Sequence, residues 1–465
     1  MTTVGVKDST FICCLLSFCL AEGTDYLMTS PSPDFHIQAV SGSQWGTYSI
    51  TYPGQPPLEY SSPPWSSNSL NVDANMAVVS GTENKSFIVS VSDNSAMRVY
   101  GRDANDAYTP LPIPALGRHY VFSNCHGFVN TTTVLTIATH GHETTVHITF
   151  KAQTNITISG LTYNNEEMLS LNLGEYQTFT LHSDTDLTGT WITSGDPIAV
   201  YAGTRSSGII STYDQLLPVK HLGKVYVIPQ RENANQNTVI FTSVSNVTSI
   251  DIKGGLVLSL SFTRSFSLGG LYSDGALIVN ASKPVLLTLC RGGELSSKGF
   301  CVVPPVSLLP RRTYLPLEGE YLKVVAEDTT STVLATALGG TMSVQWKMVQ
   351  NSSYSIGTLN TSFFPSSSFS ITSMGGLVVY VFSDVHLYTG GYHFPFEDAA
   401  LTSTAPPQAV TTSSTSFADT SPNLLTSSSK GSERGPISSM RTGHRSQQSL
   451  EFERNNYALF RSESN

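Results

Sequence analysis

The sequence predicts an all-β fold built from repeats, and three features lead there. The first is a recurring segment. Residues 196–230 read DPIAVYAGTRSSGIISTYDQLLPVKHLGKVYVIPQ: a β-branched run, a polar loop, a Leu-Pro pair, then Leu-Gly, a basic residue and a second apolar run. The end of this pattern returns as LPIPALGRHYVF at 111–122 and as PPVSLLPRRTYLPL at 304–317. Gly117 and Gly223 are 106 residues apart, and Pro218 and Pro305 are 87 apart, the trace a repeat architecture leaves. The second feature is texture: from Met76 on, short β-rich runs are joined by tight turns. The third is the lack of a sustained 3.6-residue period, so helices should be few.

Turn signals near Glu83, Gly141, Gly195, Asn246, Ser282, Gly339 and Gly375 each separate two apolar runs. Their mean spacing, about 49 residues, is close to the ~40–50 residues of a four-stranded propeller blade. Read as hairpins in a meander, they predict a seven-bladed β-propeller-like ring, closed by the strand near Tyr48 or the one near Tyr392. Closure hides sheet edges that an open array would leave bare. The alternative is three to four tandem β-sandwiches of about 90 residues. Two turn spacings of 36 residues strain the blade count.

The elements follow in order. Residues 1–23 read as a signal peptide: Lys7, an apolar stretch at 11–20 too short to span a bilayer, and Ala21-Glu22-Gly23 as a small-x-small cleavage site. Residues 24–75 form a segment rich in Pro, Ser and Tyr, with a strand or two at 44–52. Residues 76–398 are the β-repeat domain. Residues 399–440 turn to Ser, Thr and Pro with hardly an aromatic, the composition of a disordered stalk. Residues 441–465 are a polar, charged tail. No apolar stretch of about 20 residues lies before it, so no transmembrane helix is expected. The protein is then either released, or present at the cell surface if this version lacks a membrane segment.

Composition narrows the partners. Only 13% of the 465 residues are charged and the net charge is −9, with no Lys/Arg run. That argues against nucleic acid, whose phosphates need basic patches. Three of the six cysteines, Cys13, Cys14 and Cys19, lie in the signal. Cys290 and Cys301 flank a Gly/Ser loop between two apolar runs, which in an oxidising compartment favours a local Cys290–Cys301 disulfide. Cys125 is left over, either buried or paired with another chain. Seven Asn-x-Ser/Thr sequons, at Asn84, Asn130, Asn155, Asn246, Asn280, Asn351 and Asn360, are the expected N-glycosylation sites.

One stretch prompts a comparison. DLTGTWITSGDPIAVYAG from Asp186, then YDQLLPVKHLGKVYV to Val227, resembles the N-terminal domain of the IgG Fc-binding protein family. That family repeats a "DLTG…I.S..PVAV.SG" segment followed by "LP…LG..Y.V". The resemblance covers roughly 76–395. It implies an extracellular, mucus-associated protein. The family has cysteines in the loop after the "PVAV" strand. The loop at 204–213 has none here, while the next copy carries Cys290 and Cys301. Nothing resembles the cysteine-rich von Willebrand D modules, and no immunoglobulin-binding residue can be matched.

The candidates for chemistry are thin. His140, His142, Glu143 and His147 hold metal-ligand types, but a turn falls inside THGHETTVHITF, and HExxxH misses the HExxH spacing. They read as polar residues at a hairpin turn, and no metal or cofactor is expected. Cys125 and His126 are adjacent, and adjacent strand residues face opposite sides, against a nucleophile–base pair. Glu166 and Glu167 read as caps of a turn, and Tyr120, Tyr226 and Tyr314 as core anchors of each repeat. The expected function is a secreted, non-enzymatic glycoprotein for extracellular adhesion or recognition, with an extracellular protein or glycan as partner. The alternatives are a structural matrix or coat glycoprotein, and a secreted propeller hydrolase.

Overall fold

A computed structural model describes residues 23–394, except 93–96, 105, 127–130, 153–154, 207–208, 231–236, 253–255, 270–274, 293–296, 317–320, 328–333, 338–339, 343, 361–367 and 383–386. The residues expected to form a signal peptide (Gly23 apart), a stalk and a tail thus lie outside the described residues. Among these residues the regular structure is strand, with four single-turn 3-10 helices at Ala74–Met76, Ile113–Ala115, Val219–His221 and Val306–Leu308.

The strands make four consecutive two-ladder units. In the first, Thr24–Thr29, Ser86–Val91, Gly46–Thr51 and Leu58–Ser62 form one ladder, and Ser67–Asn71, His36–Ser41, Met97–Arg102 and Ala107–Tyr108 the other. Residues 24–75 are therefore half of this unit, and the boundary drawn at 76 falls inside it. In the second unit a 16-residue strand, Trp191–Ser206, belongs to both ladders. Its first half pairs with Gly117–Val121 and Thr144–Thr149. Its second half pairs with Thr131–Ala138 and Ile209–Gln215. The third unit repeats the device with the 17-residue strand Ala276–Gly292. Its first half pairs with Gly223–Pro229 and Thr248–Ile252, its second with Asn237–Ser243 and Ser297–Val302. The fourth unit runs from Arg312 to Thr389.

Among the described residues the strands do not group into seven meander blades, and the turns explain why. Thr131–Ala138 and Thr144–Thr149 flank Gly141 but belong to different ladders. The same holds around Asn246 and Gly375. Gly195 and Ser282 lie inside the two long strands, where the chain passes from one ladder to the next. Gly, Asn and Ser suit a hairpin turn, but here they mostly carry the chain between the layers of a unit. Only near Gly339 do the flanking strands, Leu334–Ala337 and Gly340–Met342, pair as expected. The all-β, repeat-built class holds.

The recurring Leu-Pro…Leu-Gly segment is the joint between units. A Cβ on Gly117 would lie 2.4 Å from Cβ of Pro218, and one on Gly223 would lie 2.3 Å from Cβ of Pro305. Each motif's proline thus seats on the preceding motif's glycine, where no side chain fits. Three residues after the glycine, the Tyr120 hydroxyl accepts the Gly117 N–H at 3.0 Å and donates to the Ile198 carbonyl at 2.5 Å. Tyr226 does the same with Gly223 and Val285. Both rings are fully buried, as anchors of the repeat. Tyr314 is buried too, but packs against Gly42 of the first unit.

That last contact closes a ring. The final strands of the four units, Ala107–Tyr108, Ile209–Gln215, Ser297–Val302 and Leu387–Thr389, touch in cyclic order, the fourth returning to the first. The Tyr100 hydroxyl donates to the Tyr314 carbonyl at 2.5 Å, and Ser368 Oγ to the Ser41 carbonyl at 2.9 Å, both buried. The chain then turns back so that Phe394 packs on His221, ring centroids 4.7 Å apart, in a core shared with the first two units.

Ending the chain at His393 removes that buried ring, a loss of about 3–5 kcal/mol by analogy with Phe-to-Ala truncations. Calorimetry should show one lowered transition for the whole β region. Units that melt independently, three of them unchanged, would contradict the ring.

Candidate functional site

Where the four final strands meet, polar groups are sealed from water. Asp106 accepts the N–H of Ala107 at 2.9 Å, of Tyr213 at 3.0 Å and of Leu387 at 3.4 Å. Asp214 accepts the N–H of Gln215 and of Val302, each at 2.7 Å. Gln215 Oε1 accepts the Leu111 N–H at 2.8 Å. Two carboxylates thereby tie all four units through main-chain donors. Tyr108, Tyr201 and Tyr213 pack beside them, Tyr201 and Tyr213 stacked at 5.1 Å. The Tyr201 hydroxyl donates to the Leu27 carbonyl at 2.7 Å.

Burial dominates the electrostatics here. It pushes the Asp214 carboxyl up to about 8, against the two hydrogen bonds that favour its charge. Burial also drives Asp106 well above the carboxylate range, with Asp103 and Asp214 adding repulsion. The Cys301 thiol is raised by burial and by the same two acids. No substrate reaches these groups: Asp106 is 5% exposed and Asp214 3%. The arrangement holds the ring together.

The cysteines pair differently from the sequence reading. Cys125 is bonded to Cys290, and Cys301 is a buried free thiol. The expected Cys290–Cys301 bridge fails on register. In the ladder Cys290 lies opposite Phe300, and Cys301 opposite Leu289. A one-residue offset puts the two side chains on opposite faces. Cys290 faces the core shared with the second unit, where Cys125 sits, and Cys301 faces the core of the third. Beside the bridge, the hydroxyls of Ser123 and Thr288 lie 2.9 Å apart.

The remaining candidates fall at turns and edges. His140, His142 and Glu143 lie in the connection between Thr131–Ala138 and Thr144–Thr149, and His147 Nδ1 lies 2.8 Å from Ser170 Oγ. Among the described residues no three metal-ligating side chains gather. His126 is exposed beside the buried Cys125. Glu167 caps its turn by accepting the Asn164 N–H at 2.7 Å, and Glu166 pairs with Lys151 at 2.6 Å. Asn84, Asn155, Asn246, Asn280 and Asn351 are exposed. Asn130 lies outside the described residues, as does the side chain of Asn360. Among the described residues no helix is long and apolar enough to cross a membrane.

Two open surfaces carry side chains suited to binding. One is a cavity of about 520 Å³ on the first unit, lined by Tyr48, Tyr60, Glu59 and several serines, with the two tyrosine rings stacked at 5.4 Å. The other is the solvent face of the second unit's outer ladder, where Trp191 lies 5.1 Å from Phe262 of the third unit. Neither surface stood out in the sequence. Their residues come from separate strands and, in the second case, separate units.

A family model described as IgGFc binding protein matches residues 106–383. The human IgGFc-binding protein is 24% identical over 201 residues, which are 41% of this chain and 4% of that much longer protein. A solved tetra-tandem repeat from the extending region of a large adhesion protein covers 80% of this chain and 99% of its own at 11% identity. Its TM-score of 0.11 carries no structural argument.

Two outcomes follow. A non-reducing peptide map should recover Cys125 joined to Cys290, with Cys301 alkylated only after unfolding; a Cys290–Cys301 peptide contradicts this. The bridge closes 165 residues, so on the chain-entropy model C125A/C290A should cost up to about 5 kcal/mol. The second concerns pH. Asp214 ionises near 8 when folded and near 3.8 when unfolded, so its contribution to stability declines as pH rises between those values. His221, lowered to about 4 by burial and then by Lys220, opposes it only below its usual 6.5. Between pH 6.5 and 8 stability should therefore fall, by at most about 1.4 kcal/mol per pH unit for each buried acid. D214N should flatten the slope of denaturant midpoint against pH. An unchanged slope would show that Asp214 is ionised in the fold.

Proposed function

The chain belongs to the IgGFc-binding protein family, and on that premise we propose that it is a secreted, non-enzymatic glycoprotein that binds an extracellular protein or glycan. The family match over 106–383 is the observation that carries the reading. The motifs behind the resemblance have structural duties here. The Gly of DLTG, Gly189, has φ +96 and no room for a Cβ, which would lie 2.3 Å from the Thr263 carbonyl oxygen of the third unit. The Leu-Pro…Leu-Gly segment joins the units. The family motifs are thus those of a scaffold, which leaves recognition to exposed surfaces.

Other features support the reading. Five sequon asparagines are exposed, as glycan attachment needs, and a disulfide fits an oxidising compartment. The hydrolase alternative draws its support from a propeller, and among the described residues the strands do not group into one. The relative's name makes the Fc region of IgG the first protein partner to test.

The test is expression through a secretory pathway. The product should begin near Thr24, lose mass on N-glycosidase treatment and, immobilised, retain a partner from native mucus or from purified Fc. A product that keeps Met1 and its mass would overturn the extracellular reading.

A further inference from the structure

The second unit's outer ladder has one core face and one open face. Ile148, Ile192 and Tyr120 point into the core. On the other face one row crosses four strands: His119, Thr193, His147 and Ser170 are directly opposite one another in register. His119 and Ser170 are exposed, Thr193 and His147 half-buried. Two residues along from Thr193, and so on the same face, stands Trp191, half-buried. The His119 ring lies 6.3 Å from that of Trp191, and the ring of Phe262, 40% exposed, lies 5.1 Å from it.

From this face we infer a carbohydrate-binding platform for an uncharged hexopyranose chain, with Trp191 and Phe262 as stacking surfaces and the row from His119 to Ser170 as its hydrogen-bonding edge. The inference rests on the reading of the protein as an extracellular binding protein and names the ligand class for it. Aromatic rings offer flat apolar area that matches the C–H face of a pyranose, and hydroxyl and imidazole groups match its rim of hydroxyls. Adjacent strands are ~4.8 Å apart, comparable to one sugar residue, so successive groups in the row meet successive sugars. Charge selects among glycans. None of the six residues is a carboxylate, lysine or arginine; at the margins Arg118 pairs with Asp196 at 3.5 Å and Lys151 with Glu166 at 2.6 Å, and Arg264 stands near Glu166. The six groups themselves offer no fixed charge to an anionic polymer.

The platform spans two units and is held in advance of binding. Phe262 sits in the turn between Leu256–Leu260 and Ser265–Gly269, and that turn seats on Gly189, where a side chain is excluded. Thr263 in the same turn has φ 55 and is buried. Phe262 is therefore delivered by a packed inter-unit contact, which lowers the ordering cost of binding.

Calorimetric titration of the secreted full chain tests this, with cellohexaose, chitohexaose and mannohexaose as neutral probes and a heparin hexasaccharide as the charged one. At least one neutral probe should bind and heparin should not. W191A and F262S should each weaken that binding about tenfold or more, while W191F retains most of it. F262S changes an exposed residue, so an unaltered melting temperature separates lost contact from lost fold. Binding of heparin alone, binding unaffected by F262S and W191A, or binding lost instead in Y60S of the first unit's cavity would overturn the platform. The same variants are assayed on Fc. If no saccharide binds while Fc or a mucus protein still does, the platform fails and the extracellular binding reading stands. If nothing binds at all, both fail.

Discussion

Everything else in this molecule depends on four short strands, each the last of its unit, meeting around two buried carboxylates. Asp106 and Asp214 accept N–H groups from the second, third and fourth units, and burial raises both carboxyl groups above their ordinary range. Removing one would leave main-chain donors unsatisfied inside the protein, typically a loss of about 1–3 kcal/mol each. The hub is therefore an all-or-none arrangement. It is satisfied when the ring is closed and poor in any partly opened state. The tyrosines around it contribute on the order of 1.5–3 kcal/mol each by burial; Tyr108 and Tyr201 donate to backbone carbonyls, and the Tyr213 hydroxyl meets that of Thr29.

Closure at the centre dictates what happens at the joints. Each unit must be rotated by a fixed amount from the last, and at two joints a glycine against a proline, Gly117 on Pro218 and Gly223 on Pro305, fixes the contact without an adaptable side chain. The anchoring tyrosines then lock the first strand of a unit to the point where its long strand changes ladder. The Cys125–Cys290 bridge adds a covalent tie across one joint. What remains outside is a set of ladder faces on a rigid ring, so recognition groups on neighbouring units can be held in register. Trp191 and Phe262 are one such pair.

Much of this was legible in the sequence. Strand content, the repeat and the anchoring role of Tyr120 and Tyr226 could be read, because periodicity and recurrence are local signals. The turn at Gly141 could not be assigned, since glycine serves equally a hairpin and a crossing between layers. The partner of Cys125 was hidden for a related reason. Cys290 has a near neighbour in Cys301, and only the register shows that they face apart. No motif marks Asp106 and Asp214, because they meet only after the chain has closed on itself. His119, Trp191 and Phe262 come from three strands or turns in two units, and no motif links them.

The central claim is a closed ring of four units. Small-angle scattering from residues 24–394 measures it directly. A closed ring of this size should give a radius of gyration of about 21 Å with a single-peaked distance distribution. Four units strung in a line should give more than about 30 Å and a distribution with a long tail, and that result would contradict the closure on which the account rests.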